Sequence, residues 1–174
     1  DPRLDKLAEI FGSEKTVPAP VTFVDIAGIV KGASEGAGLG NKFLANIREA
    51  DAICQVVRAF ADDDVVHVDG RVDPKSDIEV IETELILADM QTLEKALPRL
   101  EKEARTNKDR KPIVEAVAAA QAVFDEGKTL FSTGKDWSAL RELNLMTVKP
   151  FLYVFNADES VLTDEARKAE LTAM

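Results

Sequence analysis

Asp25 closes a short apolar run, Val21-Thr22-Phe23-Val24, and Gly28 follows it three residues later. A carboxylate delivered at the C-terminal end of a strand suits the hydration shell of a Mg²⁺ ion. The amide of a glycine three residues on suits a terminal phosphate. A loop with Gly32, Gly36, Gly38 and Gly40 comes next, so the pattern reads as a phosphate-side turn rather than a plain strand end. His67, the only histidine, follows three consecutive carboxylates, Asp62, Asp63 and Asp64. Adjacent acids are poorly spaced for a ligand cage, so a dedicated metal site here is not expected. His67 itself stands just past a strand end, on the edge of a sheet where ligands collect.

The elements that must position these residues belong to a chain of 174 residues, 45% hydrophobic, with a net charge of −10. That content supports a buried core and excludes global disorder. The acidic balance argues against nucleic-acid binding through the average field and leaves room for a local basic patch. Cys54 is the only cysteine. It excludes an intramolecular disulfide, and its apolar setting predicts a buried, inert thiol. No apolar run approaches the roughly 18 residues that span a bilayer, and no signal peptide is visible. A cytoplasmic setting without membrane attachment is expected.

Along the chain, Asp1-Pro2 opens a helix that Gly12 ends, with Leu4, Leu7, Ala8 and Phe11 on one face. Val21–Val24 is expected as a buried strand, Asn41–Ala50 as a helix, and Ala52–Phe60 as a second buried strand. Strand, helix and strand then make a βαβ unit. Ser76 or Asp77 caps a long helix running to about Ala104. Its Ile86, Met90, Leu93, Leu97 and Leu100 follow steps of four and three. Pro98 interrupts it and predicts a kink. A charged link leads into a second helix from Pro112 to Gly127, with Ile113, Val117, Ala120 and Phe124 in matching steps. Two seamed helices predict an antiparallel hairpin whose tip carries Arg105, Lys108, Arg110 and Lys111. That tip reads as solvated or as a partner or nucleic-acid contact. Trp137–Met146 is expected as a short helix. Phe151–Phe155 is a third strand ending at Asn156-Ala157-Asp158-Glu159, and Thr163 caps a last helix.

Three segments together resemble one family. Asp25–Phe60 reads DIAGIVKGASEGAGLGNKFLANIREADAICQVVRAF, His67–Leu85 reads HVDGRVDPKSDIEVIETEL, and Lys149–Glu159 reads KPFLYVFNADE. They are similar to the YchF-type Obg-like ATPases, a branch of the P-loop NTPases related to translation factors. The resemblance implies an α/β fold, a mostly parallel G-domain-like sheet with an inserted helical hairpin. The G domain would comprise residues 1–74 and 144–174, and the coiled-coil insertion residues 75–143.

The resemblance also implies roles. Asp25-Ile26-Ala27-Gly28 becomes the switch II motif, with Asp25 meeting Mg²⁺ through water and Gly28 meeting the nucleotide. Ile29 stands where most related GTPases carry the Gln that orients water, which passes the catalytic role to His67. Asn156-Ala157-Asp158-Glu159 stands where GTPases have NKxD. Glu159 in place of Asp loses the carboxylate fork that pairs with guanine, so ATP is expected rather than GTP. Asn156 would contact adenine, with Phe60 and Ala157 against its faces; without the resemblance Asn156 reads equally as a turn residue. No GxxxxGK[ST] occurs in the chain. The family's P-loop is expected upstream of Asp1 and its TGS-type domain beyond Met174, so these residues alone are expected to bind ATP poorly and to be inactive. The expected parent is an ATP-hydrolysing switch protein that uses Mg²⁺ and associates with ribosomes or RNA. The alternative is a non-catalytic, nucleotide-sensing or protein-interaction module built on the hairpin. The seam is satisfied within one chain, so oligomeric state is open.

Overall fold

The four-and-three spacing of the central apolar residues produces the dominant feature of the structure, a computed structural model that describes residues 2–26, 39–60 and 72–174, with backbone only for 39–42. Helix α3 spans Pro74–Thr106 and helix α4 spans Lys111–Asp125. They pack antiparallel through Ile86, Leu93 and Leu100 on one side and Ile113, Val117, Ala120, Val123 and Phe124 on the other. Met90 and Leu97 lie half-buried against the same cluster. Each fully buried Leu here contributes about 1.5–3 kcal/mol. The seam therefore forms as expected.

The start of α3 corrects the expected cap. Asp73, not Ser76 or Asp77, is the N-cap, and its carboxylate accepts from the Ser76 amide at 3.2 Å. Pro74 explains the earlier start, because its fixed φ and missing N–H suit the first helical turn. The helix continues through Pro98 to Thr106, so the charged link is shorter than expected. Asn107 ends it, and its side chain accepts from the Asp109 amide at 2.9 Å to open a 3₁₀ turn, Lys108–Arg110.

The α/β part has two described strands, β1 Ile53–Arg58 and β2 Phe151–Asn156, paired in parallel with Ile53 opposite Phe151 and Arg58 opposite Asn156. Helix α2, Leu39–Glu49, precedes β1. Its Leu44 and Ile47 join Leu85 and Ala88 of α3 and Met146 in a second core cluster, on which Ile53 and Phe151 rest. The strands alternate half-buried and exposed residues instead of being buried on both faces. Cys54, Val56, Leu152 and Val154 are exposed. The expected buried thiol is therefore corrected: Cys54 points to the face that no described element covers.

Val21–Val24 makes no strand. Val21, Phe23 and Val24 are 79%, 78% and 67% exposed. A β-branched run becomes a strand only with a ladder partner, and none of the described residues pairs with it, so the expected βαβ unit lacks its first strand. Helix α1, Arg3–Phe11, forms as expected and stops at Gly12, whose φ of 62° permits the left-handed turn. None of its residues is buried, and Asp1, its expected cap, lies outside the described residues.

Two further expectations change at the C-terminal side. Trp137–Met146 is a 3₁₀ turn over Ser138–Leu143 followed by buried Leu145 and Met146. After β2 come α5, Glu159–Thr163, and α6, Glu165–Thr172. The cap of α6 is Asp164 rather than Thr163; its carboxylate accepts from the Arg167 amide at 3.0 Å. Among the described residues no helix is long and apolar enough to cross a membrane.

Candidate functional site

Parallel pairing brings two C-terminal strand ends side by side, the place where open α/β sheets bind ligands. The Ala59 amide donates to the Asn156 carbonyl at 2.7 Å, which extends the ladder past Arg58 and brings the segments carrying Phe60 and Ala157 to one end of the sheet. Asn156 is exposed and Phe60 and Ala157 are half-buried. Asp158 turns the chain into α5, its carbonyl accepting from the Val161 amide at 3.0 Å. Glu159 is the first residue of that helix and is exposed. Phe60, Asn156, Ala157 and Glu159 thus occupy one end of the sheet, as the sequence requires.

Arg58 is an unanticipated member of this edge. Its guanidinium lies 4.5 Å from the Phe60 ring centroid, and its Nε donates to the Phe60 carbonyl at 3.1 Å. One face of the ring is therefore covered by a cation. The signal was present in the sequence, since Arg58 is the only charged residue of β1 and its last, two before Phe60.

Asp25 is exposed, and its neighbour Ile26 packs on the cluster of Leu44, Ile47, Leu85, Ala88 and Met146. The first residues of β1 and β2 rest on that cluster too, whereas Asn156 closes the far end of β2, about 17 Å along at ~3.3 Å per residue. A single exposed carboxylate fits an outer-sphere contact to hydrated Mg²⁺ and does not form a cage. Among the described residues no group of three or more possible ligands comes together. Gly28, Ile29, the glycine loop to Gly38, the acidic stretch Asp62–Asp64 and His67 lie outside the described residues.

Two polar anchors, one buried and one half-buried, hold the sheet on the helices, and neither was expected. Asp89 of α3 is fully buried, and it accepts from the amides of Met146 and Thr147 at 3.0 and 2.8 Å and from the Thr147 hydroxyl at 2.7 Å. Burial pushes its carboxyl above the usual range, and the three donors oppose that. Lys149, just before β2, donates through Nζ to the carbonyls of Ile47 at 3.0 Å, Arg48 at 2.7 Å and Ala50. These carbonyls lie at and just past the end of α2, where the Ile47 carbonyl also accepts from the Ala50 amide at 3.2 Å. Burial lowers its pKa. The clue to Asp89 was a charge inside the run Leu85-Ile86-Leu87-Ala88-Asp89-Met90.

The hairpin tip differs from the simple basic cluster expected. Arg110 is tied to Glu103 at 2.7 Å and to Glu142 at 2.8 Å, and Arg99 binds the same two carboxylates at 2.8 and 3.1 Å. Hydrogen bonding to Arg110 holds both glutamates below the usual carboxylate range. Arg110 therefore braces the tip, which leaves Arg105, Lys108 and Lys111 as its exposed cations.

Comparison with known proteins adds the following. The family described as 50S ribosome-binding GTPase matches residues 8–118. The "Ribosome-binding ATPase YchF" of Bacillus subtilis is 49% identical over 169 residues, 94% of this chain and 46% of the relative. The protein of the same name from Escherichia coli O157:H7 is 46% identical over 163 residues, 91% of this chain and 45% of the relative. The Mycoplasma pneumoniae one is 40% identical over 177 residues, 100% and 49%. Among solved structures, the "Schizosaccharomyces pombe YchF GTPase" aligns with a TM-score of 0.69 and 36% identity, over 95% of this chain and 46% of that one. The chain spans about half the length of the relatives it matches. Their names divide on the nucleotide, ATPase in the bacterial proteins and GTPase in the yeast one.

Proposed function

The chain belongs to the 50S ribosome-binding GTPase family, in its YchF branch, and from that premise we propose that it forms part of a P-loop switch protein that binds and hydrolyses ATP in association with the ribosome, in the cytoplasm. The nucleotide-binding domain comprises residues 1–74 and 144–174, with residues 75–143 inserted as the hairpin. The observation that carries the reading is the parallel pairing of Arg58 with Asn156, extended by the Ala59 amide, which brings the strand ends leading into Phe60 and Ala157 to one edge of the sheet.

Each residue has a definable task. The Asn156 side-chain amide can donate to and accept from an adenine edge, and it stands exposed at the sheet end. Phe60, backed by Arg58, offers a flat apolar face, and Ala157 leaves room where a lysine would stand. Glu159 sits on the first turn of α5, its carboxylate one methylene longer than the Asp that pairs with guanine, which disfavours GTP. Asp25 would hold a water of a bound Mg²⁺, whose chemistry there would be charge neutralisation at the phosphates. Gly28 donates its amide to the terminal phosphate. Ile29 cannot orient the attacking water, and His67 takes that role.

The turnover of the complete protein tests this. His67→Ala should lower kcat by about a hundredfold or more, the usual contribution of a positioned acid–base group. An unchanged kcat removes His67 from the mechanism. Asp25→Asn should raise the Mg²⁺ concentration needed for half-maximal rate, and an unaltered requirement counts against the metal role.

A further inference from the structure

The connection between α4 and β2 carries an open depression of about 400 Å³, lined by Phe131, Gly134, Lys135, Trp137, Arg141 and Val148 together with Asp136 and Ser138. Its floor is aromatic and apolar. Phe131 is 46% exposed. The indole of Trp137 is fixed in orientation, because its Nε1 donates inward to the Leu130 carbonyl at 3.0 Å and to the Thr133 hydroxyl at 3.1 Å. Gly134 turns the chain at the rim with a φ of 63°, and no atom lies within 4 Å of where a Cβ would project.

The charges around it are selectively spent. Lys128 is paired with Glu126 at 2.8 Å, and Lys149 is committed to the end of α2. Glu142 is held by Arg99 and Arg110. Asp136 accepts from the Ser138 amide at 2.8 Å and hydroxyl at 3.1 Å. Lys135 influences Glu126 across the turn without forming an ion pair, and the Arg141 guanidinium makes no ion pair among the described residues. Two exposed cations therefore flank an oriented aromatic surface made by exposed Phe131 and half-buried Trp137, with the Asp136 carboxylate between them in sequence, in a chain whose net charge is −10.

We propose that this depression is a stacking subsite for single-stranded RNA, with a base against Trp137 and Phe131 and its phosphates at Lys135 and Arg141. Every base presents a π-face, and aromatic surface beside cations is the combination that single strands use. An acidic peptide would match the charge and leave the planar floor unused. The preference for an RNA strand over a free nucleotide rests on the ribosome association proposed above.

Trp137 is the only tryptophan, so its fluorescence reports directly on stacking. The chain would be titrated with a short oligouridylate, with uridine monophosphate and with inorganic polyphosphate, at low and raised salt. Saturable quenching by the oligonucleotide, weakened by salt, is expected, with no quenching by polyphosphate and little by the monophosphate. Phe131→Ala should weaken binding about tenfold, and Lys135→Ala with Arg141→Ala should weaken it and flatten the salt dependence. Circular dichroism confirms that these exposed substitutions leave the fold intact. Absence of saturable quenching by the oligonucleotide overturns the proposal. Equal response to the monophosphate does so as well, since the site would then take a free nucleotide. Oligonucleotide binding measured by anisotropy that none of the substitutions alters places the contact elsewhere. Co-sedimentation of the complete protein with ribosomes is measured separately. If it persists while Trp137 stays silent, the subsite fails and the ribosome reading stands.

Discussion

At the scale of single residues, Asp89 has the largest calculable consequence. Its carboxylate is the only acceptor of the buried Met146 and Thr147 amides among the described residues, and removing it strands both. Asp89→Ala should cost about 2–4 kcal/mol, since each orphaned buried donor costs about 1–3 kcal/mol. Urea unfolding checks this, and a loss below 1 kcal/mol contradicts it. The pH dependence has a definite sign. The folded state raises the Asp89 carboxyl above its ordinary 3.8, so the native protein holds that proton more readily than the unfolded chain does. The associated stability is full below that value and is lost as pH rises through the raised one. Asp89→Ala should lack that decline. Arg58 and Lys149 belong to the same scale. Both are single charges placed against apolar neighbours, and their tasks depend on a tertiary surface that does not yet exist when the sequence is read.

At the scale of elements, the hairpin was legible because its information is local. Steps of four and three from Ile86 to Leu100, repeated from Ile113 to Phe124, specify two facing stripes whatever surrounds them. The start of α3 was missed because two caps competed, and Pro74 decided in favour of Asp73. Strands were less legible. Ala52–Phe60 and Phe151–Phe155 read as strands, but the burial expected of Ala52–Phe60 on both faces does not follow, because apolar composition does not say how many faces are covered. Val21–Val24 has the composition without a described ladder partner. The tip supplies the prediction that belongs here. Arg110 holds Glu103 and Glu142 below the ordinary 4.5 of a glutamate. Their stabilising effect is therefore present above that value and lost as pH falls through their depressed ones. Acidification well below pH 4.5, past the depressed values of both glutamates, should release the brace and lower the hydrogen-exchange protection of the Lys108–Lys111 amides. Arg110→Lys should show the same loss of protection at neutral pH, because an ammonium cannot bridge two carboxylates as a guanidinium fork does. Equal protection of wild type and variant would contradict the bracing role.

At the scale of the whole molecule, order is uneven. The described core is anchored at α3, which packs on α4, β1 and the turn Ser138–Leu143. Residues 13–26 have no regular structure, and most are exposed. Limited trypsin treatment should cut after Lys15 before any bond within 74–125, as mass spectrometry of early fragments would reveal. First cleavage inside the hairpin would contradict the placement of the core. The placement of Phe60, Asn156, Ala157 and Glu159 at one sheet edge was legible, because strand ends follow from strand assignment and the two strands pair in parallel. The phosphate side was not, since Asp25 and Gly28 acquire meaning only beside a phosphate cradle, and this chain contains no GxxxxGK[ST]. The 174 residues alone are accordingly expected to bind ATP weakly.

The central claim, that this sheet edge selects adenine, is tested most directly by calorimetric titration of the complete protein with ATP and with GTP. ATP should bind at least about tenfold more tightly, and Asn156→Ala should erase most of that difference. Equal affinities, tighter GTP binding, or undiminished discrimination in Asn156→Ala would contradict the account.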